Sequence, residues 1–217
     1  MEFSFWQFFS DPLLRGPTLG SMLMCLSSSM MGVFLFVKRR SLIGEALSHA
    51  AYPGIIISLI FASFFLPFSD SRVLLFILGG ASLSSMLGLF TINQLERKLK
   101  INPDAALCLV LSLFLGLGVV MASQLQFALP TYFSQAQAFL YGQVATMEDY
   151  HVFVYGAFSC LVIFFILFRF RLLELITFDS EFAKILKVKV KASEAIISIL
   201  VVLSIVMGIR SVGVILM

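Results

Sequence analysis

Charge is what this sequence most lacks. Of its 217 residues only 12% are Asp, Glu, Lys or Arg, while 60% are hydrophobic and the mean hydropathy is +1.03. So few charges cannot clothe a surface in water, which excludes an ordinary globular domain. No nucleic-acid partner is expected. Cysteine is scarce too. Cys25, Cys108 and Cys160 each fall inside an apolar run, and an odd, scattered set offers neither a disulfide framework nor a CxxC metal site; they read as small packing residues. The two histidines, His49 and His151, lie about a hundred residues apart with no HExxH pair, so a membrane-embedded metalloenzyme would want for ligands. No G-x-x-x-x-G-K-[ST] loop occurs, so the chain does not itself supply ATP hydrolysis by that route. The N-terminal stretch has no basic n-region ahead of its apolar residues, and a cleaved signal peptide is not expected.

What the sequence does hold is long oily runs. Six of them are bounded by charge, proline or turn residues: Pro17–Val37, Leu42–Leu66, Val73–Ile92, Pro103–Ser123, Val152–Phe168 and Glu194–Met217. A hydrocarbon core of ~30 Å takes about 20 apolar residues per helix. Period-two alternation, the mark of a barrel strand, is missing. The expected fold is therefore all-α, a polytopic transmembrane bundle of about six spans in a single membrane domain over 1–217. Lys and Arg gather at 38–40, 96–100 and 169–191, which together hold 12 of the 15 basic residues. The positive-inside rule places those segments in the cytoplasm, with the N-terminus and the loops at Asp70 and 124–149 outside. Gln124–Met147 is mixed in character, carries a proline and no cation, and reads as an interfacial or re-entrant helix. The last run stops at VGVILM without a polar flank, as if the chain were incomplete at its C-terminus.

Against this background one stretch stands out, LIGEALSHAAYPG at 42–54. Glu45 and His49, four apart, share one face of a helix, with Ser48 beside them. Ionisable groups are costly in a span and commonly face a pore or a partner, and an imidazole with a carboxylate suits a first-row divalent metal. Pro53 and Gly54 could break the helix and free carbonyls. Spacing alone leaves another reading open, in which Glu45 sits at headgroup level near Lys38, Arg39 and Arg40 and His49 bonds a neighbouring helix. Elsewhere, Gly79, Gly80, Ser82, Ser84, Ser85, Gly116 and Gly118 point to close helix packing or a subunit contact. Asp104 after Pro103 marks a helix start, and Arg210 would snorkel or pair with a partner's acid. His151, beside Glu148 and Asp149, lies at the outer end of the fifth run, and the phenylalanines should face lipid.

RRSLIGEALSHAAYPGI resembles the signature of permeases of metal-type ABC importers, the zinc, manganese and iron group, and three further blocks agree in order: INPDAALCLVLSLFLGLGVVMAS, FLYGQVATMEDYHV and FDSEFAKILKVKVKASEAIISILVVLSIVMGIRSVGVIL. Glu45 stands where the family usually has Asp. The resemblance implies a bacterial inner-membrane transport subunit, not an enzyme, that moves Mn, Zn or Fe inward. It implies metal handling by Glu45 and His49 and no permanently bound cofactor. It further implies a cytoplasmic coupling helix over Phe178–Val188, with Phe178, Asp179, Glu181 and Ala183 its matching positions. The implied partners are a cytoplasmic ABC ATPase, an extracytoplasmic metal-binding protein, a second permease of like or unlike sequence, and lipid. Alternatives are a permease for chelated iron or a vitamin-like substrate, a membrane metalloenzyme, and a non-transporting membrane scaffold.

Overall fold

Proline and charge decide where the oily runs start and stop as helices. The computed structural model describes residues 11–38, 40, 42–65, 72–144, 149–178 and 190–214. Among these residues every regular element is helical: α1 (Pro12–Val37), α2 (Ile43–Phe65), α3 (Arg72–Lys98), α4 (Pro103–Ala128), α5 (Pro130–Tyr141), α6 (Asp149–Phe178) and α7 (Val190–Val212). Six of the seven, all but α5, are long and apolar enough to cross a membrane. This is the multi-pass helical architecture expected of the sequence.

The ends follow local chemistry. Pro103 occupies the first turn of α4, where its missing N–H costs nothing, and Asp104 beside it meets the positive end of the helix. α3 runs past its apolar stretch to finish on Arg97 and Lys98, cations at the negative end. α4 is halted by Pro130, which pushes Leu129 out of the helical region to φ −143°, ψ 73°. α5 then runs for 12 residues, ~18 Å at 1.5 Å per residue, too short to cross. The mixed 124–149 segment thus divides into the tail of α4 and a separate short helix. α6 extends well beyond Phe168, to Phe178, with a break from helical geometry at Arg169 (φ −111°, ψ 15°).

The chain forms two compact units, one drawn from the ranges Met1–Ser41 and Val144–Ser204, the other from Leu42–Gln143 and Ile205–Met217. In the first, α1 packs along α6. Lys38 Nζ, just past the end of α1, lies 3.5 Å from Glu194 Oε1 in the first turns of α7. Two segments expected on one side of the membrane are thereby neighbours. In the second unit α2 lies against α3, α4 and α5, and 72% of its most apolar stretch is buried, against 28% for α4.

The outward faces are oily, as a bilayer requires. Phe36, Phe64, Phe127, Phe153, Phe168 and Phe178 are exposed. The three cysteines, on α1, α4 and α6, are all exposed. A small weakly polar side chain has no reason to avoid such a face.

Candidate metal site

α2 carries Glu45 in its first turn and His49 one turn later. The helix does not break at Pro53 and Gly54, contrary to what those residues suggest in sequence. Gly54 is instead required by packing, since a Cβ there would strike the backbone of Gly80 on α3. Proline inside a helix is tolerated in membranes where neighbours hold the backbone, and here they do. Ser84 Oγ donates to the Ala50 carbonyl at 2.7 Å, and Ser85 Oγ to the Leu47 carbonyl at 3.0 Å. These two bonds bracket His49.

The small residues of α3 therefore divide by role. Gly80, Ser84, Ser85 and Gly88 face α2, with a Cβ on Gly88 reaching within 2.6 Å of the Ala50 methyl. Gly79 has open space, and the exposed Ser82 bonds back to the carbonyl of Gly79 at 2.7 Å. On α4, Gly118 leaves room for the ring of the buried Tyr52, whereas Gly116 touches nothing. Small residues at these crossings let backbones approach closely, the main source of helix association in lipid. They also fix the roll of α2, and hence the direction of its polar stripe.

On that stripe Glu45 is exposed, one turn before His49. His49 is buried, with 9% of its surface accessible, and its Nδ1 has no hydrogen-bond partner. Ser48, wholly buried, donates to the Glu45 carbonyl at 2.8 Å and reaches the Val214 carbonyl at 3.5 Å, the limit of a hydrogen bond. The end of α7 is thus seated against the residue between the two candidate ligands. Among the described residues no group of three or more His, Cys, Asp or Glu converges on one point. Glu45 and His49 form a pair, not a closed cage.

Nothing in the sequence pointed to α5 and the end of α7 as neighbours of this pair. α5 packs on α2, and its last residue, Tyr141, lines a depression of about 450 Å³ with Ser134, Gln135, Gln137 and Gln143. The one available signal was Gly142 in FLYGQ and Gly213 in SVGV, each a helix stop. Of the residues implied for ATPase coupling, Phe178 ends α6 and is exposed; Asp179, Glu181 and Ala183 lie outside the described residues. The backbone of His151 lies in the first turn of α6. Arg210 sits half-buried in the last turn of α7 with its guanidinium 5.7 Å from the centre of the Phe139 ring.

The profile of the ABC 3 transport family matches residues 10–217. The chain belongs to this family. It is 34% identical over 208 residues to the probable metal transport system membrane protein of Chlamydia trachomatis, covering 96% of this chain and 46% of that protein. It is 31% identical to the manganese transport system membrane protein MntC of Bacillus subtilis, over 99% of this chain and 48% of the relative. With the zinc transport system membrane protein TroC of Treponema pallidum it shares 32% identity over 96% of this chain and 68% of that protein. The chain spans just under half the length of the Chlamydia and Bacillus proteins. The fold matches that of a solved structure, PsaBC from Streptococcus pneumoniae in complex with Fab, with a TM-score of 0.79 and 23% identity over 97% of this chain and 70% of the solved one.

Proposed function

We propose that this chain forms the membrane-spanning part of an ATP-driven importer in the bacterial cytoplasmic membrane and passes a divalent metal ion inward. Manganese and zinc are the metals in the names of its relatives, and iron is compatible with the same donor set. The observation that carries this reading is His49, a buried imidazole with an unpartnered Nδ1, one turn from Glu45 on a helix pinned by its neighbours. Leaving such a nitrogen unsatisfied costs about 1–3 kcal/mol, and a cation that has shed water would relieve that cost.

The chemistry follows from the pair. A hydrated ion meets the exposed carboxylate first, exchanges part of its water for oxygen, then takes the imidazole nitrogen. Zinc prefers about four ligands, and one chain offers two side chains here. A second permease, like or unlike, would bring a second pair. Transport then needs the site to open alternately to each side, by rocking of helices about a fixed binding place. Energy comes from a separate cytoplasmic ABC ATPase seated on the segment from Phe178 to Val188, and cargo from an extracytoplasmic metal-binding protein.

The test is uptake of radioactive manganese and zinc by cells that depend on this system, with Glu45→Gln and His49→Ala. Both variants are expected to reach the membrane at parental abundance and to lose uptake. Uptake at the parental rate in both would remove the reading.

A further inference from the structure

The ends of α5 and α7 meet tip to tip, and the way they are capped is unusual. Each helix closes its own last turn through a glycine, Gly142 N–H to the Ala138 carbonyl at 3.0 Å and Gly213 N–H to the Ile209 carbonyl at 2.8 Å. Both glycines have positive φ, 78° and 89°. At Gly142, with ψ 153°, the backbone occupies a region that is essentially glycine's alone. The residue after each glycine then turns across to the other helix. Val214 N–H donates to the Phe139 carbonyl at 3.1 Å, and Gln143 N–H to the Arg210 carbonyl at 3.0 Å. Each helix thus satisfies a terminal carbonyl of its partner that would otherwise be orphaned. A Cβ on Gly213 would come within 2.6 Å of the Gly142 nitrogen, so no other residue fits at the crossing.

Such a junction has an electrostatic cost. Two helix C-termini, each carrying about half a negative charge, are brought together. The last turn of α5 holds no basic residue, and that of α7 holds one, Arg210. Its side chain leaves α7 and lies over the ring of Phe139 in the last turn of α5, which places one guanidinium beside the last turns of both helices. The junction in turn presents the Val214 carbonyl to Ser48, between Glu45 and His49.

We infer that Arg210 is a positioning residue for the metal-handling pair: its charge holds the crossed ends of α5 and α7 together, and through Val214 and Ser48 it sets the stripe on which Glu45 and His49 stand. This rests on the transport reading above. Arg210 touches no cargo and acts at one remove, as do the groups that orient metal ligands in other sites.

The experiment is the manganese concentration dependence of uptake in vesicles holding the complete transporter, with Arg210→Gln, Arg210→Lys, Arg210→Met and His49→Ala, alongside the thermal midpoint of each complex. Loss of the charge in Arg210→Gln is expected to raise the half-saturating concentration about ten- to a hundredfold, the usual effect of removing a supporting group. Arg210→Lys, which keeps the charge, should return it to within a few-fold of the parent. Arg210→Met, which keeps an unbranched side chain without the charge, should be as impaired as the glutamine variant, whereas a residue that only filled space would be rescued by it. Parental half-saturation in a folded Arg210→Gln complex overturns the inference. So does a folded Arg210→Lys complex as impaired as the glutamine variant, and this arm decides the matter if Arg210→Gln does not assemble. His49→Ala separates the two levels: parental uptake there removes the metal-handling role of His49 on which the inference rests, whereas its loss beside an unaffected Arg210→Gln removes only the role of Arg210.

Discussion

The backbones of Gly54 and Gly80 touch where α2 crosses α3. A Cβ on Gly80 would lie 2.9 Å from the Gly54 carbonyl oxygen, and a Cβ on Gly54 would overlap the carbonyl of Gly80. Backbone cannot move aside as a flexible side chain does. The contact sets how closely α2, the helix of Glu45 and His49, can approach α3.

Gly80→Ala is accordingly expected to destabilise the protein by about 1–3 kcal/mol, the usual cost of overpacking. In a chain of this size that lowers the thermal midpoint by about 2–4 °C per kcal/mol. Gly79→Ala, one residue away with nothing within 4 Å of its added methyl, should be neutral or stabilising by up to about 1 kcal/mol. Equal midpoints for the two variants in detergent would show that the crossing is not as close as described.

Glu45→Asp shortens the acid by one methylene and gives the residue most common in the family the sequence resembles. It keeps the charge on the exposed face of α2, so uptake should persist, with a changed preference between manganese and zinc in competition. Glu45→Gln keeps the length and loses the charge, and should weaken metal handling by at least the ten- to hundredfold typical of second-layer losses. Retained uptake in Glu45→Gln together with loss in Glu45→Asp would mean that length, not charge, is what the site requires.

Cys25, Cys108 and Cys160 lie on outward faces and are unpaired. A variant with all three replaced by alanine should match the parent in uptake and, site by site, in stability to within about 0.5 kcal/mol. It then serves as a background for single cysteines at Lys98 and Gln124, whose labelling by a membrane-impermeant reagent should occur from opposite sides. Labelling of both from one side contradicts the inside-positive orientation.

Lys100 follows the end of α3 at φ 52°, in the left-handed region that costs a non-glycine residue about 1–2 kcal/mol. Lys100→Gly should raise the thermal midpoint, and Lys100→Val should lower it, since a β-branched side chain fits that region worst. The opposite order would show that the turn is not built this way.

The membrane spans were legible because bilayer thickness imposes a length that composition reveals directly. That Glu45 and His49 stand one turn apart on a single helix was legible because four residues return a helix to the same face. What escaped depends on three dimensions. That Gly80, Ser84 and Ser85 face α2 while Gly79 and Ser82 do not follows from the roll of α3, which a cluster of small residues leaves undetermined. Pro53 and Gly54 read as a break because local propensity says so, whereas Ser84, Ser85 and the Gly80 backbone hold the helix straight through them. The meeting of Gly142 with Gly213 joins positions some 70 residues apart in sequence and has no local signature beyond two helix stops.

Pro53 lies within the unbroken length of α2, and a proline has no N–H to give. The carbonyl of His49, four residues earlier, therefore receives no bond along the helix axis. The rod is fastened to α3 on one side of that missing rung at Leu47 and Ala50, and on the other at Gly54. Any flexing of α2 under load is concentrated in the turn between, directly beside the imidazole, as in a spring with one thinned coil.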